Sequence, residues 1–314
     1  MTSETFSVPE PPPAAPVAWC CSYCGAPLEV RGNGLYCASE QRWFATHGAV
    51  HRLLPDERRR QIQPFLELYQ RVRRDEGWRA EPGLPEVPGD HPHAHVWQRR
   101  ARHFRRGMEL LRARLGKAPW SVLEVGAGCC WAGARLVGAG HRVTAVDVNL
   151  DPEDGLPAAD RLLDEPRRLA RAEAEMDALP LAASSFDVVL ANGALHYARR
   201  PDRTLVELRR VTRKGGLLLV LDSPVYRRHR DGEAMVEERV RDHVERYTRA
   251  APPEMQSSFF VHRDLTALFG TAGWRLEIHG WPGALREWLR DRVEIARHGR
   301  RTARFPVLLA ERER

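Results

Sequence analysis

From Ser121 onward, short apolar runs alternate with stretches in which apolar residues recur at helical spacing. The apolar runs cover 122–125, 143–148, 188–191, 217–222, 276–278 and 306–309. The helical patterns between them cover 131–139, 202–213, 233–249, 263–272 and 284–298. This alternation predicts an α/β fold with a doubly wound, mostly parallel sheet and helices on both of its faces. A ligand of such a sheet binds at the carboxyl ends of the strands, so the candidate site residues are those that follow the strands.

The N-terminal third of the chain has a different pattern. Its first residues are mostly proline and small side chains, which are typical of a disordered segment. A Cys- and Gly-bearing segment follows that is too short for an ordinary core and needs a staple such as a metal ion. Two helical stretches come next, and the second has an apolar stripe for packing, formed by Trp97, Ala101, Phe104, Met108, Leu111 and Leu115.

These patterns predict four parts. They are a disordered lead at 1–19, a metal-stapled module at 20–55, a helical linker or cap at 56–118, and the main α/β domain at 119–314 with a helical insertion near 225–260.

Composition narrows the class of protein. The 314 residues are 43% hydrophobic, enough for a sizeable core, but no apolar run approaches the roughly 18 residues of a membrane span. The N-terminus has neither the basic start nor the apolar stretch of a secretory signal. The six cysteines are clustered in the sequence, which favours metal or site chemistry over a disulfide framework. We therefore expect a cytoplasmic protein.

The formal net charge of +7 raises the possibility of nucleic-acid binding. Nearly all the positive charge is arginine, because Lys117 and Lys214 are the only lysines. Residues 58–114 contain 14 Arg against 7 Asp and Glu, a local excess equal to the whole net charge. This stretch is either an anion-binding surface or a solvated helical linker.

The loop after the first strand of the main domain is the best candidate for a cofactor site. Gly126 and Gly128 let the backbone turn sharply and approach a ligand, and the helix that follows offers free N–H groups. Asp147 follows the next strand, where a carboxylate accepts hydrogen bonds from the two ribose hydroxyls of a nucleoside. A dinucleotide fingerprint requires a third glycine at position 131, and Trp131 makes NAD an unlikely ligand.

The loop Leu123-Glu-Val-Gly-Ala-Gly-Cys-Cys130 resembles the glycine-rich motif of class I S-adenosylmethionine-dependent methyltransferases. Further similarities are Leu179-Pro180, Ser185-Phe186-Asp187, Leu195-His196-Tyr197 and Lys214-Gly215-Gly216, over roughly residues 119–310. They resemble a subgroup that includes ubiquinone-type and many small-molecule methyltransferases. The resemblance implies a seven-stranded Rossmann-like sheet and S-adenosylmethionine as cofactor.

The same resemblance implies roles for individual residues. Glu124 and the backbone of Gly126 and Gly128 would face the methionine part, and Asp147 the ribose. Glu175 and Met176 match the positions that meet the adenine, and Asn192 matches the end of the fourth strand. The third motif glycine is replaced by Cys130, whose side chain would crowd the cofactor unless the loop is shifted.

Four residues after the fourth and fifth strands are candidates for the acceptor side: His196, Tyr197, Asp222 and Tyr226. Methyl transfer depends mainly on positioning, and a general base helps only if the acceptor arrives protonated. We rank His196 first, because the ordinary pKa of histidine suits proton transfer near neutrality.

The N-terminal module has metal-ligand spacing. Cys21 and Cys24 form a knuckle of the type that holds zinc, and Cys37 follows at an ordinary spacing for a zinc ribbon. The segment resembles the zinc-ribbon module that precedes some bacterial methyltransferases, including a ribosomal-RNA guanine methyltransferase family. The expected fourth cysteine is Glu40, so the candidates for a fourth ligand are Glu40, Cys20, His47 and His51. The motif His91-Pro-His93-Ala-His95 is more typical of a surface or lid loop than of a metal site.

Three functions are compatible with these features. The first is a methyltransferase for a small-molecule acceptor. The second is an RNA methyltransferase that uses the ribbon and the Arg-rich stretch to hold phosphates. The third is a catalytically silent binding protein in which Cys130 blocks the cofactor.

Overall fold

The computed structural model describes residues 17–117, 119–165, 168–247, 259–281 and 284–313, with the backbone alone for 284–288 and 298. Most of the predicted lead, 1–16, lies outside the described residues. The strands are β1 Glu29–Arg31, β2 Gly34–Cys37, β3 Arg42–His47, β4 Val50–Arg52, β5 Ser121–Val125, β6 Arg142–Asp147, β7 Leu169–Glu173, β8 Phe186–Asn192, β9 Thr212–Leu221, β10 Val225–Tyr226, β11 Phe260–Val261, β12 Trp274–His279 and β13 Val307–Arg312. The helices are α1 Asp56–Asp75, α2 Ala94–Leu115, α3 Trp131–Gly138, α4 Pro201–Val211, α5 His229–Tyr247, α6 His262–Thr271 and α7 Ala284–His298.

The predicted doubly wound sheet is confirmed. Seven strands lie in the order β7-β6-β5-β8-β9-β13-β12, and the pairs from β7 to β9 are parallel. Only β13 is antiparallel to its neighbours β9 and β12. Buried clusters cover both faces of the sheet, which explains why its central strands are nearly all apolar. Among the described residues, no helix is long and apolar enough to cross a membrane.

Strand β7 matches none of the six apolar runs found in the sequence, because it contains two buried charged residues. The Arg171 side chain is fully buried, where it donates to the Leu156 carbonyl at 3.0 Å and pairs with Asp160 at 2.5 Å. Glu173 is 1% exposed and pairs with two arginines from outside the strand. A buried charge is tolerated when it is paired and hydrogen-bonded, so tertiary contacts replace the missing apolar pattern here.

The N-terminal module extends the same sheet. Strands β1 to β4 are antiparallel to one another, and β4 pairs in parallel with β7 in the register Val50↔Arg171 to Arg52↔Glu173. The result is one sheet of eleven strands. Trp19, which the composition assigned to the disordered lead, is 6% exposed and forms a β-bridge with Leu181. Burial of its large apolar ring holds Trp19 against the sheet, although the residues before it are rich in proline.

The two helices of the predicted linker cover the sheet and its carboxyl edge. Helix α2 packs on β9 and β13, and Gly107 lies so close to Leu219 that an added Cβ would be 2.7 Å from its Cδ2. The predicted stripe of α2 is mostly buried, with Trp97, Met108 and Leu111 inside the core. Helix α1 has an amphipathic pattern too, and it lies across the strand ends.

A cluster around Glu173 joins the module, α1 and the sheet. Arg52 of β4 donates to the Glu173 carboxylate at 2.5 Å, and Arg59 of α1 donates at 2.9 Å. The side chains of the two arginines are 23% and 25% exposed, so most of this cluster is removed from water.

We expect Glu173→Ala to lower the free energy of unfolding by about 2 kcal/mol, because two largely buried guanidinium groups lose their partner. The matched control is Asp202→Ala, since the pair Arg200–Asp202 is 56% and 52% exposed and should contribute less than about 1 kcal/mol. Urea unfolding of both variants measures the difference. Equal losses in the two variants would contradict this prediction.

Candidate functional site

The loop after β5 has the conformation that its glycines predict. Gly126, Gly128 and Cys130 all have positive φ, at 61°, 53° and 59°. At Gly126 a Cβ would lie 2.4 Å from the Cβ of Ala194, so glycine is required there for two reasons. Cys130 adopts a left-handed conformation that non-glycine residues seldom adopt, and it serves as the N-cap of α3.

The Cys130 side chain does not line the cleft. It is 0% exposed within a buried cluster that includes Trp131, and its thiol donates to the Gly128 carbonyl at 3.7 Å. The loop therefore retains its shape with a cysteine at the third motif position. Trp131 itself belongs to this core, where its ring meets Trp97 and Phe104 edge to face.

The Glu124 carboxyl group faces α3, and Glu124 is not among the residues that line the first cleft described next. It accepts a hydrogen bond from the Gly133 N–H at 2.8 Å, and a Cβ at Gly133 would lie 2.6 Å from the same oxygen. Burial is the largest cause that raises the pKa of Glu124, to about 8, and the nearby Asp147 charge adds to it. The structure thus gives Glu124 a contact that fixes α3 against β5.

A first cleft opens at the carboxyl ends of β5, β6 and β7. It has about 690 Å³ of empty space and brings together four of the predicted cofactor positions, Gly126, Asp147, Glu175 and Met176. The Asp147 carboxylate accepts hydrogen bonds from the N–H groups of Gly128 and Asn149, each at 2.7 Å. Burial raises the pKa of Asp147 above its ordinary value.

Helix α1 forms the cover of the first cleft, which the sequence did not reveal. Arg58 donates to both carboxylate oxygens of Glu175 at 2.7 Å, and Ile62 and Phe65 line the apolar side. The pair Arg58–Glu175 is about one fifth exposed. The amphipathic spacing of α1 predicts that one face of the helix is buried, but it does not predict which surface that face covers.

Asn192 and Asp222 stand at the ends of the neighbouring strands β8 and β9. Asp222 has a φ of 51°, and its Oδ1 accepts from Arg99 at 3.1 Å and from His103 at 3.0 Å. Although burial raises the pKa of Asp222, the hydrogen bond from His103 and the arginine charges lower it overall. Its Oδ2 and the Oδ1 of Asn192 are buried acceptors without a hydrogen bond in the described part of the chain.

His196 lies in the turn between β8 and α4, and its surroundings change the role expected from its residue type. Its Nδ1 lies 3.3 Å from the Ser223 hydroxyl. Burial, followed by the charges of Arg239 and Arg100, lowers the pKa of His196 to about 3. Near neutrality the imidazole is therefore uncharged and a weak base, contrary to the pKa expected from the residue type. Tyr226 lies apart, buried against Phe259 at the base of α5.

A second cleft shares two lining residues, Tyr197 and Phe65, with the first. It has about 700 Å³ of empty space between α1 and α5. Its remaining lining residues are Leu68, Tyr69, Val72, Arg73, Glu76 and Arg239. Tyr197, which is 39% exposed, thus borders both clefts. Most of this lining comes from α1 and α5, which carry no recognisable motif.

Three thiols of the N-terminal module lie together. The sulfur atoms of Cys21, Cys24 and Cys37 are all within 4.8 Å of one another, and Cys24 and Cys37 are 3.6 Å apart. A zinc ion with bonds of about 2.3 Å to tetrahedral thiolates separates the sulfurs by about 3.8 Å, so this spacing fits zinc. Cys20, a predicted ligand, is not in the group, because its thiol faces the Ala18 carbonyl at 3.9 Å.

The other candidate ligands have different contacts. The Nδ1 of His51 is 2.7 Å from the Thr46 hydroxyl, and the Nδ1 of His47 is 3.3 Å from Arg52. The Glu40 N–H donates to the Cys37 sulfur at 3.4 Å, the knuckle contact that stabilises a thiolate. Within the motif His91-Pro-His-Ala-His95, His93 stacks on Trp78 at 3.7 Å and contacts the Glu76 carbonyl at 2.7 Å, which is a structural role.

The raised pKa of Glu124 predicts a specific pH dependence. A carboxyl group whose pKa is near 8 in the folded state and near 4.5 when unfolded binds its proton more tightly when folded, so wild-type stability falls as the pH rises through this interval. Glu124→Gln keeps an acceptor for Gly133 but does not titrate. It should therefore gain at least about 1 kcal/mol relative to wild type between about pH 5 and pH 9, measured by urea unfolding. Glu237→Gln, at an exposed position of α5, is the control, and a pH-independent Glu124→Gln difference would refute the assignment.

Known proteins are similar to the part of this chain that contains the site. Residues 123–220 match the family model described as a methyltransferase domain. A malonyl-[acyl-carrier protein] O-methyltransferase of Erwinia pyrifoliae is 31% identical over 149 residues, 43% of this chain and 53% of that protein. An uncharacterized protein of Mycobacterium tuberculosis is 39% identical over 101 residues, 32% of this chain and 36% of that protein. The chain thus matches about half or less of the length of these relatives.

A solved structure extends the similarity of the fold. The [4+2]-cyclase SpnF is similar over 81% of this chain and 96% of that chain, with a TM-score of 0.50 and 17% identity. At this identity the similarity concerns the fold alone. Together with the sheet order, the match over residues 123–220 shows that this part of the chain is similar to methyltransferase domains.

Proposed function

We propose that this protein transfers the methyl group of S-adenosylmethionine to a small-molecule acceptor held in the second cleft. One observation carries the proposal: the first cleft, lined by the cofactor positions of the motif, shares Tyr197 and Phe65 with the second cleft, so the two clefts are neighbours. A methyl donor and an acceptor placed in adjoining clefts can meet without leaving the protein, and such positioning accounts for much of the rate of a transfer reaction.

The residues of the first cleft fit the proposed cofactor. Gly126 provides a floor that a side chain would obstruct, and Met176 and Phe65 provide apolar walls for a flat ring. Each oxygen of Asp147 accepts one backbone N–H, and a carboxylate has lone pairs left for two ribose hydroxyls. When bound, S-adenosylmethionine supplies an electrophilic methyl group on its sulfonium sulfur.

The acceptor side favours an acceptor that needs no strong base. His196 is uncharged with a pKa of about 3, and the pKa of Asp222 is below its ordinary value, so both are weak bases. We propose that His196, Tyr197 and Asp222 orient the acceptor. Of these three, Tyr197 borders both clefts, whereas Asp222 and His196 line neither of them; the His196 ring centre lies 4.2 Å from that of Tyr197.

The alternative of an RNA methyltransferase is weakened by the ion pairs of the Arg-rich stretch. Eight of its arginines pair with carboxylates of this chain: Arg58, Arg59, Arg73, Arg74, Arg79, Arg99, Arg106 and Arg114. Guanidinium groups engaged in this way do not present a continuous surface for phosphates. The silent alternative depended on Cys130, whose buried side chain leaves the first cleft open.

Titration calorimetry with S-adenosylhomocysteine tests the cofactor. We expect one molecule to bind per chain, and Asp147→Ala to weaken binding by about tenfold or more, because a hydrogen bond to a charged group contributes roughly 1.5–3 kcal/mol. Asp147→Asn keeps an acceptor for the loop N–H groups and should lie between the two. The control is Asp202→Ala, in the first turn of α4, because Asp202 does not line the first cleft. Absence of binding to wild type would refute the proposed function.

We also propose that the module binds one structural zinc ion through Cys21, Cys24 and Cys37. The sulfur spacing supports it, and a metal would staple a segment that has few buried residues of its own. Glu40 or water would complete the four ligands.

Elemental analysis of purified protein should find about one zinc per chain. Cys24→Ser should lose it, and Cys20→Ser, whose thiol lies outside the group, should retain it. The same zinc content in both variants would count against this ligand set, and zinc-free wild type would end the proposal.

A further inference from the structure

A third cleft lies where the N-terminal module meets the start of helix α1. It has about 610 Å³ of empty space, which is enough for a small organic molecule, and it shares no lining residue with the first or the second cleft. The proposed methyl transfer therefore makes no use of it. Four residues that carry a charge line it: Arg42, Arg52, Asp56 and Arg59.

Two of the three arginines in the third cleft are held by carboxylates. Arg52 donates to Glu173 at 2.5 Å, and another nitrogen of the same guanidinium lies 3.3 Å from the His47 Nδ1. Arg59 donates to Glu173 at 2.9 Å and to Asp56 at 2.6 Å. Most of the N–H groups of these two arginines are therefore already engaged within the chain.

The third arginine, Arg42, has no such partner. Its guanidinium lies 3.9 Å from the centre of the Tyr23 ring, and it forms no ion pair with a carboxylate in the part of the chain that the structure describes. Its Nε is buried and donates to no acceptor among those residues. A buried donor without an acceptor is unfavourable, so an acceptor from outside the chain would stabilise this arrangement.

Arg31 of β1 shows the same stacking with the charge satisfied. Its guanidinium lies 3.9 Å from the centre of the Tyr36 ring, and it donates to the Glu29 carboxylate at 2.7 and 3.0 Å. The two arginines thus differ in the carboxylate that only Arg31 has. Stacking on a ring fixes the plane of a guanidinium and leaves its edge free for a planar, bidentate partner, which a carboxylate provides.

The charge count around the third cleft favours a ligand group with a single negative charge. Arg42, Arg52 and Arg59 face the carboxylates of Glu173 and Asp56, so one positive charge remains. A carboxylate brings one negative charge and balances it. A phosphate monoester brings up to about two, and the second would be opposed by Asp56 in the same lining.

Two aromatic side chains offer an apolar surface beside Arg42. Tyr23 and Trp43 both line the third cleft, and they are 43% and 48% exposed. The Tyr23 hydroxyl accepts a hydrogen bond from the Asp56 N–H at 3.2 Å, which fixes the ring against the start of α1. Covering such exposed rings with the apolar part of a ligand is favourable.

We infer that the third cleft is a binding site for a small organic carboxylate, whose charged group pairs with Arg42 and whose apolar body covers Tyr23 and Trp43. The site is separate from the methyl-transfer site, and it does not depend on the proposed function. Arg42 determines its preference for an anion.

Benzoate and benzyl alcohol test the inference, because the two probes share a ring and differ in charge. Their binding is measured by calorimetry on the full chain, in a chloride buffer without other carboxylates or phosphate. Wild type should bind benzoate about tenfold more tightly than benzyl alcohol, as expected for a charge-assisted hydrogen bond. Arg42→Gln should remove this preference, and Arg42→Lys, which keeps the charge without the planar fork, should retain part of it. Inorganic phosphate should bind wild type more weakly than benzoate does.

The matched control is Arg31→Gln, which removes an arginine with the same ring contact from the same module and should keep the full preference. Melting temperatures close to wild type show that the variants are folded. No binding of benzoate, equal binding of the two ring probes to wild type, or tighter binding of phosphate than of benzoate would each overturn the inference. An unchanged preference in Arg42→Gln, or an equal loss in Arg31→Gln, would do so as well.

Discussion

Two carboxylates at the end of β7, Glu173 and Glu175, hold helix α1 over the first cleft, and the arrangement of the site depends on them. Glu173 binds Arg59 and Glu175 binds Arg58, two neighbouring arginines in the first turn of the helix. Glu173 also binds Arg52 of the N-terminal module. One short strand thus holds the module and α1, both of which lie more than 100 positions before it in the sequence, and α1 then supplies a wall to both clefts.

The sequence predicted those features that depend on neighbouring residues. The loop after β5 is a strand, a turn and a helix in succession, so its glycines and the Asp147 that follows the next strand could be assigned to the cleft. The thiols of the N-terminal module could be predicted as metal ligands because Cys21 and Cys24 have the spacing of a zinc knuckle. The contact of the Glu124 carboxyl group with the Gly133 N–H could not be predicted from the loop sequence, since it depends on the approach of α3.

Features that depend on distant partners could not be predicted. The charges of Arg171 and Glu173 hide β7 from any apolar pattern, because their partners come from other elements. From its sequence, helix α1 resembles a solvated linker. In the structure its arginines pair with Glu173 and Glu175 at the end of β7. The pKa of His196 follows from burial and from two arginines on α2 and α5, which a residue type alone does not show.

The parallel pairing of β4 with β7 has a consequence for the edge of the sheet. Without it, the N–H and C=O groups along the outer side of β7 would be open to pairing with another chain. The module moves this edge outward to β1, a strand of three exposed residues in which Arg31 and Glu29 pair across Val30. A short, charged edge is a poor template for β-sheet aggregation. The N-terminal module thus protects the edge of the main sheet from pairing with another chain, apart from any part it has in binding.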